Sequence, residues 1–127
     1  MKKTSAIVIC LVFILSLTGC GKKSFEIAGA DKLTVLSGTT GESIEITNTD
    51  DIKFITDNIN AQNYSKRGKV HSSGWSYALQ WFDKDGKMID SLTLLDGDTV
   101  IYDGCYYEGM TVDYEIDFAF LDSQFAN

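Results

Sequence analysis

Proline is absent from this sequence, histidine occurs once, at position 71, and cysteine three times. Without proline there is no stiff Pro-rich stalk or linker. A single histidine excludes a multi-histidine zinc site, leaving carboxylates as the helpers of one imidazole. Three cysteines are too few for the disulfide framework that holds many small exported domains together. Basic residues are also short: 11 Lys and Arg stand against 18 Asp and Glu, a formal charge of −7. That balance repels nucleic acid and anionic headgroups and suits neutral or basic partners. There is no internal repeat or low-complexity stretch, and only one long apolar run.

That run lies at the start. Met1-Lys2-Lys3 is a short positive opening, followed from Ser5 to Leu17 by an uncharged, mostly aliphatic stretch. It has the layout of a secretory signal peptide and is short for a spanning helix, which needs about 20 apolar residues. Small residues close it at Thr18 and Gly19, and a cysteine follows directly. The four residues Leu17-Thr18-Gly19-Cys20 resemble the lipobox of bacterial lipoproteins, Leu-(Ala/Ser/Thr)-(Gly/Ala)-Cys, at every position. The resemblance implies diacylglycerol transfer to the Cys20 sulfur and cleavage between Gly19 and Cys20. Two or three acyl chains, at about 0.8 kcal/mol per buried methylene, give stable anchoring where one is marginal.

Loss of residues 1–19 leaves 108 of the 127 residues, enough for one domain with a modest core. Lys2 and Lys3 leave with the leader, so nine basic residues face eighteen acidic ones, a formal charge of about −9. Cys10 also leaves and Cys20 is the lipid site, which makes Cys105 the sole remaining thiol. Gly21-Lys22-Lys23-Ser24 reads as the start of a tether through Ala30, with a reach of roughly 30 Å when extended. Lys22 and Lys23 then lie beside anionic headgroups. The expected organisation is a leader over 1–19, a lipidated Cys20 with tether over 20–30, and one domain over 31–127.

Short alternating runs at Lys32–Leu36 and Ser43–Thr47 flank Gly38-Thr39-Thr40-Gly41 and predict a hairpin. Asn48-Thr49-Asp50-Asp51 is a helix-start signal, with acids near the positive end of the macrodipole. Ile52, Ile55 and Ile59 follow at helical spacing, predicting a helix over 49–61 with Phe54 at the margin or exposed. Residues 62–73 are polar and basic and predict an edge strand with a loop. Trp75–Phe82 alternates, and Asp85-Gly86, Asp96-Gly97 and Asp103-Gly104 then separate further alternating runs ending near Gly109. Asp-Gly between such runs is the strongest short-range hairpin signal, and three in series describe an antiparallel meander. Tyr114, Phe118, Leu121 and Phe125 recur at helical spacing, with Ile116 and Phe120 widening the stripe, and predict a closing helix over 113–125. The order β-β-α-β-β-β-β-α, with a further strand after Asp103-Gly104, gives an α+β fold. In it both helices cover one face of an antiparallel sheet.

Catalytic signatures are weak. Asp83-Lys84-Asp85-Gly86 has the start of a calcium loop, but Trp81 stands where such a loop must begin, and a hairpin turn suits the residues better. Asp96, Asp98 and Asp103 belong to turns, while Asp113, Glu115 and Asp117 suit a helix start. His71 and Cys105 are the only pair available for thiol catalysis, and neither has a recognised flanking motif. No catalytic residue, metal ligand or cofactor is therefore assigned. The aromatics Trp75, Tyr77, Trp81, Tyr102, Tyr106 and Tyr107 fall in the meander and form a candidate binding face, since a sheet has two faces and helices cover one. Lys66, Arg67 and Lys69 are the only basic cluster.

In its leader, size, helix after two strands and Asp-Gly hairpins, the chain resembles the small lipoproteins of low-GC Gram-positive bacteria. That resemblance implies no functional residue beyond Cys20. The leading expectation is a non-enzymatic binding module, held on the extracytoplasmic face of the cell membrane through Cys20. Its partner is a neutral or basic protein or peptide, and nucleic acid is excluded by charge. Two alternatives are an immunity or inhibitor lipoprotein that intercepts a cationic peptide, and a hydrolase accessory using the acidic residues.

Overall fold

A computed structural model describes residues 22–70, 74–110 and 115–126. The elements are β1 (Lys22–Ser24), β2 (Lys32–Ser37), β3 (Ser43–Ile46), α1 (Thr49–Asn60), β4 (Asn63–Lys69), β5 (Tyr77–Phe82), β6 (Met88–Leu94), β7 (Thr99–Tyr102), β8 (Cys105–Gly109) and α2 (Phe118–Phe125). The strands form one antiparallel sheet in the order β1-β4-β8-β7-β6-β5-β2-β3. The fold is α+β, and strands β5 to β8 are the meander that the Asp-Gly turns predict. The turn at Asp103 and Gly104 has φ of 50° and 75°, the paired positive values of a two-residue type I′ hairpin.

Alternation places the core on one side of the sheet. Leu33 and Val35 of β2, Tyr77, Leu79 and Trp81 of β5, Leu92 and Leu94 of β6, and Val100 of β7 are all buried. Their cross-strand partners share the face, as in Leu79 opposite both Val35 and Leu92. α1 lies on this face with Ile52, Ile55 and Ile59 inward. Its N-terminus is capped by Asn48, whose side-chain oxygen accepts from the Asp51 amide at 3.0 Å. Trp81, fully buried, donates its indole N–H to the Thr56 hydroxyl at 2.9 Å, so the largest core ring loses no hydrogen bond. Phe54 lies off the stripe, 46% exposed, and rests against Phe120 of α2. α2 meets the same face through Phe118 and Phe125, which contact Tyr77.

Three expectations change. The segment expected as a tether through Ala30 belongs to the domain: Lys22–Ser24 pair with β4, and Phe25 and Ile27 are buried. The residues between β1 and β2 cross beneath the sheet from one side to the other. The segment is not fully extended, since Gly29 turns at φ 77°. Asn60 at the end of α1 clamps it, donating from its side-chain amide to the Ile27 carbonyl at 2.8 Å and accepting from the Ile27 N–H at 3.2 Å.

The second change concerns β4, which is not the edge. It is flanked by β8 and by β1, whose pairing partners are some 40 residues away in sequence. Finally, α2 starts at Phe118 rather than at 113, because the Asp117 side chain accepts from the Phe120 N–H at 3.0 Å and caps the helix there. Asp113 and Tyr114 lie outside the described residues. Ile116 is still buried, held by its N–H to the Gly97 carbonyl at 2.8 Å.

Asn60→Ala leaves both backbone groups of Ile27 without these partners in a half-buried setting. It is expected to lower unfolding free energy in urea by about 1–3 kcal/mol. Phe54→Ala, on the exposed margin, is expected to cost less than Ile59→Ala, which opens a core cavity worth about 2–5 kcal/mol.

Candidate functional site

Among the described residues, the face opposite the helices has no buried residue on any strand. Its side chains nevertheless form a register. Leu36 pairs with Ala78, Ala78 with Thr93, Thr93 with Ile101, and Ile101 with Tyr106. This uncharged row runs unbroken across β2, β5, β6, β7 and β8, and all five residues are half-buried. Thr34, Gln80 and Ser91 form a polar row beside it, with a 3.3 Å hydrogen bond from the Thr34 hydroxyl to the Gln80 side-chain oxygen. An uncharged row with a polar border, on a sheet face that no described element covers, is the arrangement that accepts a protein or peptide.

The aromatics of the candidate face do not assemble there. Tyr77 and Trp81 point into the core, 7% and 0% exposed, because their positions alternate onto the helix-covered side. Trp75 precedes β5 and is half-buried, its backbone and ring so close to Gly38 that an added Cβ would meet its carbonyl oxygen at 2.1 Å. Of the six, Tyr106 alone reaches the open face. Tyr102 and Tyr107 sit half-buried on the helix side at the β4–β8 corner, edge to face with centroids 6.5 Å apart. Phe25 packs edge-on against Tyr102 at 5.2 Å, and the Lys23 ammonium lies 4.4 Å from the Tyr102 ring centre. Leu36, Ala78, Thr93 and Ile101 carry no sequence signal as a group, since their strands neighbour one another only after the sheet forms.

The acidic residues serve turns. Asp83 accepts from the backbone N–H groups of Asp85 and Lys87, both at 2.9 Å, so this segment is a hairpin turn. The Asp96 side chain accepts from the amides of Asp98 and Thr99 at 3.1 and 2.8 Å. Burial opposes its ionisation, but the hydrogen bonds from Asp98 and Thr99 outweigh that and hold its carboxyl below the usual value. Asp98 is shifted the other way, chiefly by its side-chain hydrogen bond with Asp96. Among the described residues no three acidic, histidine or cysteine side chains converge as a metal site requires. His71 lies outside the described residues, and Cys105 is half-buried on β8.

Two concavities flank these features. One, of about 350 Å³, lies between the crossing segment and α1, with the Lys53–Asp57 ion pair among its lining residues. The other, of about 520 Å³, opens where β6 parts from β7 and is lined by Asp90, Ser91, Tyr102 and Asp103 among others. Burial, and then the charges of Asp90 and Asp103, raise the Tyr102 phenol above its ordinary value.

Tyr77→Ala empties a core position and is expected to destabilise by about 3–5 kcal/mol, whereas Tyr106→Ala on the open face costs about 1 kcal/mol, both read by urea denaturation. Comparison with protein-family models, with curated proteins and with solved structures finds no match to this chain.

Proposed function

We propose that this protein is a lipid-anchored binding module on the extracytoplasmic face of a cell membrane. It acts without catalysis, holding a neutral or basic protein or peptide on the open face of its sheet. Support for the anchor comes from the lipobox Leu17-Thr18-Gly19-Cys20 after an uncharged apolar leader. The observation that carries the binding role is the uncharged row from Leu36 to Tyr106 on a face that no described element covers. The mature charge of about −9 favours a cationic partner by long-range attraction, which is also what an immunity or inhibitor lipoprotein needs.

Cys20→Ala is expected to abolish metabolic lipid labelling and to release the protein from the membrane fraction. Retention at the wild-type level sinks the anchor. Thr93→Lys places a charge in the middle of the row without entering the core. It is expected to cut surface cross-linking to the partner by about tenfold, a loss of about 1.4 kcal/mol, while thermal stability stays near wild type. Undiminished cross-linking removes the open face from the binding role.

A further inference from the structure

Five of the nine basic residues after the leader lie on two adjacent strands that contain no acid. β1 supplies Lys22 and Lys23, and β4 supplies Lys66, Arg67 and Lys69. They are neighbours only because Lys22 pairs with Ser65 and Lys23 with Tyr64. β4 continues past the start of β1, so its three cations occupy the side from which the chain enters that strand. Only Gly21 separates Lys22 from Cys20, which keeps the Cys20 Cα within about 7 Å of the first residue of β1. Lys69 lies four residues beyond Ser65, about 13 Å along the strand. These distances are on the scale of the Debye length of about 8 Å at physiological salt, over which a charged surface is felt.

The side chains suit a headgroup layer. Lys66 and Lys69 are exposed and make no ion pair among the described residues, whereas Arg67 shares its charge with Glu108 at 3.2 Å. Lys66 is opposite Tyr107 and Lys69 is opposite Cys105, which puts them on the helix-bearing side, with Lys66 beside the half-buried Tyr107. Tyrosine, with an apolar body and a polar tip, belongs at such a boundary, and lysine stems lie along it with the ammonium outward. Asp90, Asp103 and Glu108 are the acids at this corner. The rest of the mature chain holds only four cations against fifteen acids. A surface divided in this way has one side that an anionic bilayer attracts and a remainder that it repels.

We propose that the β1–β4 corner is a membrane-docking surface for anionic phospholipid headgroups, so that the domain lies on the bilayer with its open sheet row turned away from it. The proposal rests on Cys20 being the lipid anchor, and the experiment separates the two. The protein is purified from cells with the membrane attachment it carries there and reconstituted into vesicles of phosphatidylcholine, with or without phosphatidylglycerol. Its mass reports lipid on Cys20, and a water-soluble amine-acylating reagent followed by peptide mass spectrometry reports each lysine.

Lys66 and Lys69 are expected to react about threefold or more slowly on phosphatidylglycerol vesicles, with Lys84 and Lys87 unchanged and the protection lost at high salt. Lys66→Glu combined with Lys69→Glu is expected to remove the lipid dependence of Lys23 acylation. Equal reactivity on both vesicles, or protection that arises only when an acidic polypeptide is added, overturns the docking surface whatever the mass shows. Protection without lipid on Cys20 overturns the anchor and leaves the docking surface standing.

Discussion

The fold depends on a crossing segment pinned beneath the sheet. Seven residues, Phe25 to Asp31, carry the chain from β1 on one side of the sheet to β2 near the other. Phe25 and Ile27 make that crossing part of the core, and the Asn60 side-chain amide grips the Ile27 backbone with a donor and an acceptor at once. α1 crosses the same face in the opposite sense, from β3 back to β4. Two crossings on one side fix which face is buried. Because side chains alternate along a strand, that choice settles the environment of every strand residue.

The two faces then divide the work. The covered face takes the large apolar residues, with Trp81 tied to Thr56 and Tyr77 wedged against α2. The open face keeps the row from Leu36 to Tyr106, free of charge and bordered by hydroxyl and amide groups. At the β4–β8 corner the helices no longer cover the inner face, and Tyr102, Tyr107 and the lysines of β4 emerge there. The proposed anchor departs beside that corner, so anchoring, docking and partner binding need not compete for one surface. Acids fill the turns elsewhere, where Asp83 and Asp96 satisfy backbone amides of tight loops.

Much of this was legible in advance because it is local. Helical spacing of Ile52, Ile55 and Ile59 located α1, and the polar run Asn48-Thr49-Asp50-Asp51 marked its start. The Asp-Gly pairs located the hairpins, and at Asp103-Gly104 they form a two-residue turn with positive φ, which accepts few other residues. Less legible were features that depend on distant partners. Lys22–Ser24 has the composition of a linker and becomes a strand because β4 offers it an edge. Asp117 competes with the upstream residues as a helix cap and wins by geometry that periodicity does not encode.

Sequence alone determined the signal-peptide-like layout of residues 1–19, the resemblance to a lipobox, the charge balance and the type of nearly every element. Each is carried by residues within a few positions of one another. Tertiary structure decided which aromatics are core, which five residues form the open row, and that two remote groups of lysines share one edge. The reason is that a strand shows two faces and two edges to any reader of its sequence. Only pairing across the sheet, and the connections that cross it, select among them.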